Sequence, residues 1–195
     1  MAHQVTSGVG HGAIVPSRVV LTDLVQIRRL GEKKRAENEA LRKHLKRHGY
    51  VERRMRRIAE EIQDQIDCTE CGNCCRVATT TLLERDVEHL AKFLRISPQR
   101  FLNDYCDRSD DEGLILKRTD EKGCIFLDGN LCSVYEARPA TCENFPHLVR
   151  GAGSLDSRMW QMIDRASYCP IVYNTLEAFK VEVKLPPRMG GQPKG

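Results

Sequence analysis

Residues 68–75 read Cys-Thr-Glu-Cys-Gly-Asn-Cys-Cys, a stretch that puts four thiols into eight residues and limits what the chain around it can become. Thiols this crowded serve either as disulfides or as metal ligands. Two adjacent cysteines and an odd total of nine do not suit a disulfide framework, and disulfides persist mainly in oxidising compartments. Residues 1–16 contain no basic stretch followed by an apolar run, and no later segment approaches the ~18 apolar residues of a membrane span. The expectation is a cytoplasmic protein whose thiols bind metal.

The remaining thiols extend this reading. Cys124, Cys132, Cys142 and Cys169 return at wide spacings, so the second half of the chain is expected to carry remote thiols back to the knot. Cys68, Cys71 and Cys74 form a Cys-x2-Cys-x2-Cys run, the ferredoxin-type pattern whose fourth ligand comes from a remote Cys-Pro, and Cys169-Pro170 is such a dipeptide. Neighbouring side chains such as Cys74 and Cys75 diverge, which suits two centres or one cluster of several metal atoms. Eight of the nine thiols suffice for two four-thiolate centres and leave Cys106 over. Spacing alone does not assign each remote cysteine to a centre. Zinc in a closed four-thiolate site is the alternative occupant. Its usual signature of two separated Cys-x2-Cys knuckles is missing, so an iron–sulfur cluster of the 4Fe-4S kind is preferred over zinc.

Around the thiols the pattern is α+β and mainly helical: a small cysteine-rich metal-binding domain with a short β-hairpin, preceded by a long basic helical region. Residues 1–16, with His3 and His11, read as a disordered, solvated tail. Residues 17–66 favour helix. Val51, Met55, Ile58 and Ile62 recur at helical spacing, Leu30, Leu41 and Leu45 mark a second amphipathic stretch, and Gly31 and Gly49 are the expected breaks. Basic residues crowd this region, but Glu32, Glu37, Glu39 and Glu52 interleave with them and few aromatic side chains accompany them. A docking or coiled-coil role is therefore expected in preference to nucleic-acid binding.

Residues 67–180 form the expected cysteine-cluster domain. Arg76 to Thr80 reads as extended, and Thr81-Leu82-Leu83-Glu84 as a capping box opening a helix with Leu83, Val87, Leu90 and Leu94 on its inner face. His89 is a surface residue of that helix. Ser97-Pro98 starts a second helix anchored by Phe101 and Tyr105. Asp107 to Gly113 reads as loop and 114–118 and 124–127 as strands, after which the turn Asp128-Gly129-Asn130 brings Cys132 back beside Cys124. Ser133 to Glu136 reads as another capping box, 155–165 and 171–180 as helices, and Trp160 as core. Residues 181–195 form a flexible tail.

The segments CTECGNCC, CIFLDGNLCSVYEARPATCENFP and YCP together resemble the YkgJ-type cysteine-cluster family of zinc- or iron-chelating proteins, often labelled Fe-S oxidoreductases, over Cys68 to Pro170. The resemblance implies that Cys68, Cys71, Cys74, Cys75, Cys124, Cys132, Cys142 and Cys169 are the metal ligands, with Cys106 outside the pattern. Arg138 is then placed to donate to thiolates or sulfides, and Tyr135 to act as a neighbouring donor. No acid–base pair or nucleophile constellation accompanies the thiols, so an oxidoreductase label rests on the resemblance alone. Two functions follow: electron transfer with a redox partner protein or a small substrate, or a zinc-stapled module for protein or nucleic-acid interaction.

Overall fold

The computed structural model describes residues 19–49, 52–151 and 153–185. The expectations for 1–16 and 186–195, and for Val51, lie outside these residues. The first helices are α1 (Leu24–Lys33), α2 (Arg35–His48) and α3 (Glu52–Gln63), followed by the short α4 (Cys68–Cys71) and α5 (Asn73–Val77) and then by α6 (Glu84–Leu94) and α7 (Pro98–Tyr105). Three antiparallel pairs follow: β1 (Cys106–Ser109) with β2 (Gly113–Leu116), β3 (Arg118–Thr119) with β4 (Gly123–Cys124), and β5 (Leu127–Asp128) with β6 (Leu131–Cys132). After a 3-10 turn at Tyr135–Ala137 come α8 (Ala140–Glu143), α9 (Leu155–Arg165) and α10 (Pro170–Glu182). The architecture is α+β and mainly helical. Among the described residues, no helix is long and apolar enough to cross a membrane.

Two apolar clusters hold these elements. In the first, Leu41 and Leu45 of α2 and Met55, Ile58 and Ile62 of α3 pack with Met159 and Met162 of α9 and with Ile171, Leu176 and Phe179 of α10. This is the helical stripe of the sequence, with α9 and α10 as its partner surface. Lys180, which is buried, pairs with Glu37 at 3.2 Å and Glu177 at 2.6 Å, so the one deeply placed lysine of α10 sits between two carboxylates. Most bases of α1 to α3, such as Arg28, Arg42, Lys43, Arg47 and Arg53, remain exposed.

Gly49 ends α2 in the left-handed conformation at φ 57°, as expected of a glycine after a helix. Gly31 does not break α1, which runs on to Lys33. A Cβ at Gly31 would sit 2.5 Å from the Ser167 Cα, with the Ala166 carbonyl oxygen closer still, so this glycine provides a close approach between α1 and the end of α9. Glycine to alanine inside a helix normally stabilises by up to ~1 kcal/mol. Here both obstructing atoms belong to backbone, and Gly31→Ala is expected to destabilise by about 1–3 kcal/mol. Urea denaturation checks the sign.

The second cluster joins Leu82, Val87, Leu90 and Ala91 to Phe101, Leu116, Phe126, Leu127, Val134 and Ala137. Its aromatic centre is Phe101 against Tyr105 at 5.4 Å and Tyr105 against Phe126 at 5.1 Å, as the helical spacing of the first two implies. Ser97 caps α7 by accepting from the Arg100 N–H, with Pro98 at its first position.

Several local expectations are corrected. Helix α6 begins at Glu84, not at Thr81, because Asp86 supplies the reciprocal bond by accepting from the Leu83 N–H at 2.9 Å, while Thr81 bridges to Ile115. Leu83 is therefore exposed. Ser133 does not cap a helix; its hydroxyl donates to the Phe126 carbonyl at 3.2 Å. Residues 107–109, read as loop, form strand β1 against β2, and the expected single hairpin is one of three. Arg76 and Val77, read as extended, close α5. Trp160 is 55 % exposed on the outer face of α9, so it is not core.

Candidate metal centre

The knot folds as two short helical turns with a reversal between them. Asp67 accepts from the Thr69 N–H at 2.8 Å and starts α4, and Gly72 at φ 56° ends it and starts α5. A side chain at Gly72 would meet the Asn130 backbone at 3.1 Å, so the hairpin turn after β5 lies against the reversal. Asn130 donates to the Glu70 carbonyl at 2.7 Å. Arg76 donates to the Cys71 carbonyl at 3.0 Å, to the Gly129 carbonyl at 2.6 Å and to Asn130 Oδ1 at 2.5 Å. The knot and the β5–β6 turn are thereby one hydrogen-bonded unit.

Strand β4 is fitted just as closely. Gly123 has φ 85°, and a Cβ there would lie 2.6 Å from the Cys75 carbonyl oxygen and 2.7 Å from the Arg76 Cα. The bare backbone lets Cys124 lie next to the Cys75 turn. Arg118, opposite Cys124 in the β3–β4 pair, donates to the Arg76 carbonyl at 2.7 Å and to the Ala78 carbonyl, satisfying the end of α5. Gly123→Ala is expected to separate Cys124 from Cys75, combining the cost of a positive φ with a backbone clash. The check is bound metal per chain after purification, which is expected to fall while the far-ultraviolet circular dichroism of the helices stays close to that of the unaltered protein.

The remaining thiols reach the same region from other elements. Asn73 donates to the Tyr168 carbonyl at 2.7 Å, which ties the residue before Cys74 to the residue before Cys169. Thr80 Oγ1 lies 3.6 Å from Cys142 Sγ, and the neighbouring hydroxyls of Thr81 and Thr141 lie 3.1 Å apart, so the strand leaving α5 holds α8. Cys74 Sγ and Cys75 Sγ are 4.0 Å apart, closer than diverging neighbours would be. The structure thus brings eight cysteines, Cys68, Cys71, Cys74, Cys75, Cys124, Cys132, Cys142 and Cys169, into one region. Cys106 is buried at the start of β1, with Lys117 and Asp107 as its charged neighbours.

Burial and neighbouring groups move most of these thiols away from their ordinary range. Burial raises the Cys169 thiol to about 12, the N–H groups of Val172 and Ile171 at the start of α10 oppose this, and Cys68 and Cys71 add to it. Burial raises Cys142 to about 12, opposed by the Thr80 hydroxyl and reinforced by Cys75, Cys124 and Cys132. Cys124 and Cys132 are both raised by burial; Cys75 adds to both, and Cys132 adds to the rise of Cys124. Cys75 itself is lowered, chiefly because its sulfur accepts from the Cys74 thiol, and Arg76 and Arg118 help. Cys68 keeps an exposed face, yet the protein packed around it raises its thiol, with Cys71 adding and Arg138 opposing.

The donor chemistry fits a thiophilic metal. Each of three remote sulfurs faces the backbone N–H two residues on: Cys124 that of Phe126, Cys132 that of Val134 and Cys169 that of Ile171. Such donors favour thiolate over thiol, which is the form a metal takes. Among the described residues, no three Cys, His, Asp or Glu side chains already close on a point that would hold an ion. Metal ligation by these thiols requires that they lose their protons. Arg138, foreseen in the sequence, acts on Cys68 and Cys132 and stacks its guanidinium 4.0 Å over the exposed Tyr135 ring. Arg76, Arg118 and Asn73 escaped sequence reasoning. Only Arg76 and Asn73 carry a signal there, in flanking the Cys74-Cys75 pair.

Fold and site together define a polythiol metal-binding domain carried on a helical base. The family model for the CxxCxxCC domain, described as zinc- or iron-chelating, matches residues 67–170, more than half of the chain. The protein belongs to this YkgJ-type cysteine-cluster family. No curated protein and no solved structure matches the chain.

Proposed function

We propose that the protein is a cytoplasmic iron–sulfur protein that passes electrons between a redox partner, or a small substrate, and a thiolate-held cluster. The observation that carries this reading is the tie between Asn73 and the Tyr168 carbonyl, which sets the Cys-Pro at 169–170 beside the Cys-x2-Cys-x2-Cys run. Iron–sulfur clusters are ligated by that combination of cysteines, and a bound cluster supplies reversible one-electron chemistry. Cys68, Cys71, Cys74, Cys75, Cys124, Cys132, Cys142 and Cys169 are the proposed ligands.

The protein's own residues have definable tasks around the thiols. Arg76, Arg118 and Arg138 bring positive charge to sulfurs that become anionic on binding, and the N–H groups of Phe126, Val134 and Ile171 add neutral donors. Hydrogen bonds and charge at the sulfurs set reduction potential. The exposed bases of α1 to α3 form a docking face for an acidic redox partner, where charge complementarity raises the association rate.

Anaerobic purification with metal and sulfide analysis tests the reading. Iron, acid-labile sulfide and a visible absorption band bleached by dithionite are expected. Colourless protein with stoichiometric zinc and no sulfide would replace it with the zinc-stapled interaction module. Cys106→Ser is expected to retain the metal content of the unaltered protein, because the groups that act on this thiol at the start of β1 are Lys117 and Asp107 and not another cysteine.

A further inference from the structure

The eight converging thiols are not equivalent in how the fold holds them. Cys68, Cys71 and Cys74 lie on α4 and α5, and Cys169 is drawn toward them because the side chain of Asn73 grips the carbonyl of Tyr168 at 2.7 Å. Cys169 belongs to the apolar cluster of α2, α3, α9 and α10. Cys75, Cys124 and Cys132 belong to the other cluster, that of α6 and α7. Gly123 seats β4 against the Cys75 carbonyl, β6 sets Cys132 opposite Leu127, and Thr80 Oγ1 lies 3.6 Å from the Cys142 sulfur. Cys75, Cys124 and Cys132 act on the Cys142 thiol and Cys68 and Cys71 on that of Cys169, while contact between the groups shows in Cys74, acted on by Cys75, Cys169 and Cys142, and in Cys68, acted on by Cys71 and Cys75. The two groups touch at Cys74 and Cys75, whose sulfurs are 4.0 Å apart.

We infer that the thiols form two four-sulfur metal centres, one from Cys68, Cys71, Cys74 and Cys169 and the other from Cys75, Cys124, Cys132 and Cys142, meeting at the Cys74–Cys75 peptide. This assignment rests on the reading that the cluster binds metal, and it holds whether the metal is iron with sulfide or zinc. Each centre is fastened to a different apolar cluster. One centre can therefore be emptied while the other stays loaded.

Graded chelation of the purified full-length protein, followed by alkylation of released thiols with iodoacetamide and mass spectrometry of the peptides, tests the assignment. Cys169 is expected to become labelled in step with Cys68, Cys71 and Cys74. Cys124, Cys132 and Cys142 are expected to be labelled in step with Cys75, as a separate phase. Release of all eight in one phase, or of Cys142 with Cys169, would overturn the partition. Metal counts in variants supply a second reading: Cys169→Ser and Cys142→Ser should each keep about half the metal, and the double variant none. Equal and complete loss in both single variants, with the α-helical circular dichroism retained, would place all eight thiols on one centre. Unaltered protein that holds no metal would sink the underlying metal-binding reading together with the partition, whereas loaded protein with single-phase release sinks the partition alone.

Discussion

Removing metal from the reduced protein is expected to abolish amide protection across residues 67–80 and 118–144 while α2, α3, α9 and α10 stay protected. Neither α4 nor α5 contains a fully buried residue, and the strands β3 to β6 have two residues each. Elements this short cannot persist on their own hydrogen bonds, since helix nucleation is costly and a lone hairpin is marginal in water. A closed thiolate site of the zinc-finger type supplies about 10–16 kcal/mol of apparent binding energy, enough to decide whether such a region is folded. The helical base has no such dependence, because it rests on the contiguous cluster from Leu41 to Phe179. Hydrogen exchange before and after chelation measures the difference. Unchanged protection across 67–80 would show that the chain's own packing holds the knot.

Phe101→Ala is expected to cost about 3–5 kcal/mol, as truncation of a fully buried aromatic does. Phe101 is 0 % exposed, and its ring stacks on Tyr105 at 5.4 Å and on Phe126 at 6.4 Å. With total stabilities of about 5–15 kcal/mol for ordinary domains, that loss leaves little in reserve. The effect should extend to the thiols, since Phe126 lies between Cys124 and Cys132 in the chain and its carbonyl accepts from the Ser133 N–H at 2.9 Å. Denaturant midpoint and the rate of metal transfer to a competing chelator should therefore move together. Phe93→Ala, at a 44 % exposed position, should shift the midpoint by no more than about 0.5 kcal/mol.

Much of the fold was legible because periodicity and capping chemistry act locally. The stripe of Met55, Ile58 and Ile62, the Ser97-Pro98 start and the span 155–165 appear in the structure where the pattern puts them. What failed were features decided by contacts remote in sequence. Gly31 looks like a helix break until Ala166 and Ser167 are seen against it. Thr81 carries a capping pattern, yet its hydroxyl and carbonyl are engaged by Thr141, and Asp86 takes over the cap. Trp160 has the composition of a core residue but falls on the face of α9 turned away from α2 and α10. At the thiols the cysteine positions announce themselves, whereas Arg118 gives no hint in the sequence that it will satisfy carbonyls some forty residues back.

The deep placement of Cys169 at the start of α10 has a consequence for biogenesis. The ribosome delivers the first sulfurs at 68–75 long before it reaches the last one. At about 5–20 residues per second, the nascent chain spends roughly five to twenty seconds with its leading thiols exposed and no final partner to enclose them. During that interval they are open to oxidation, and stray cations can occupy them. A chain cut short ahead of α10 would lack Cys169, leaving the inferred centre of Cys68, Cys71 and Cys74 one sulfur short.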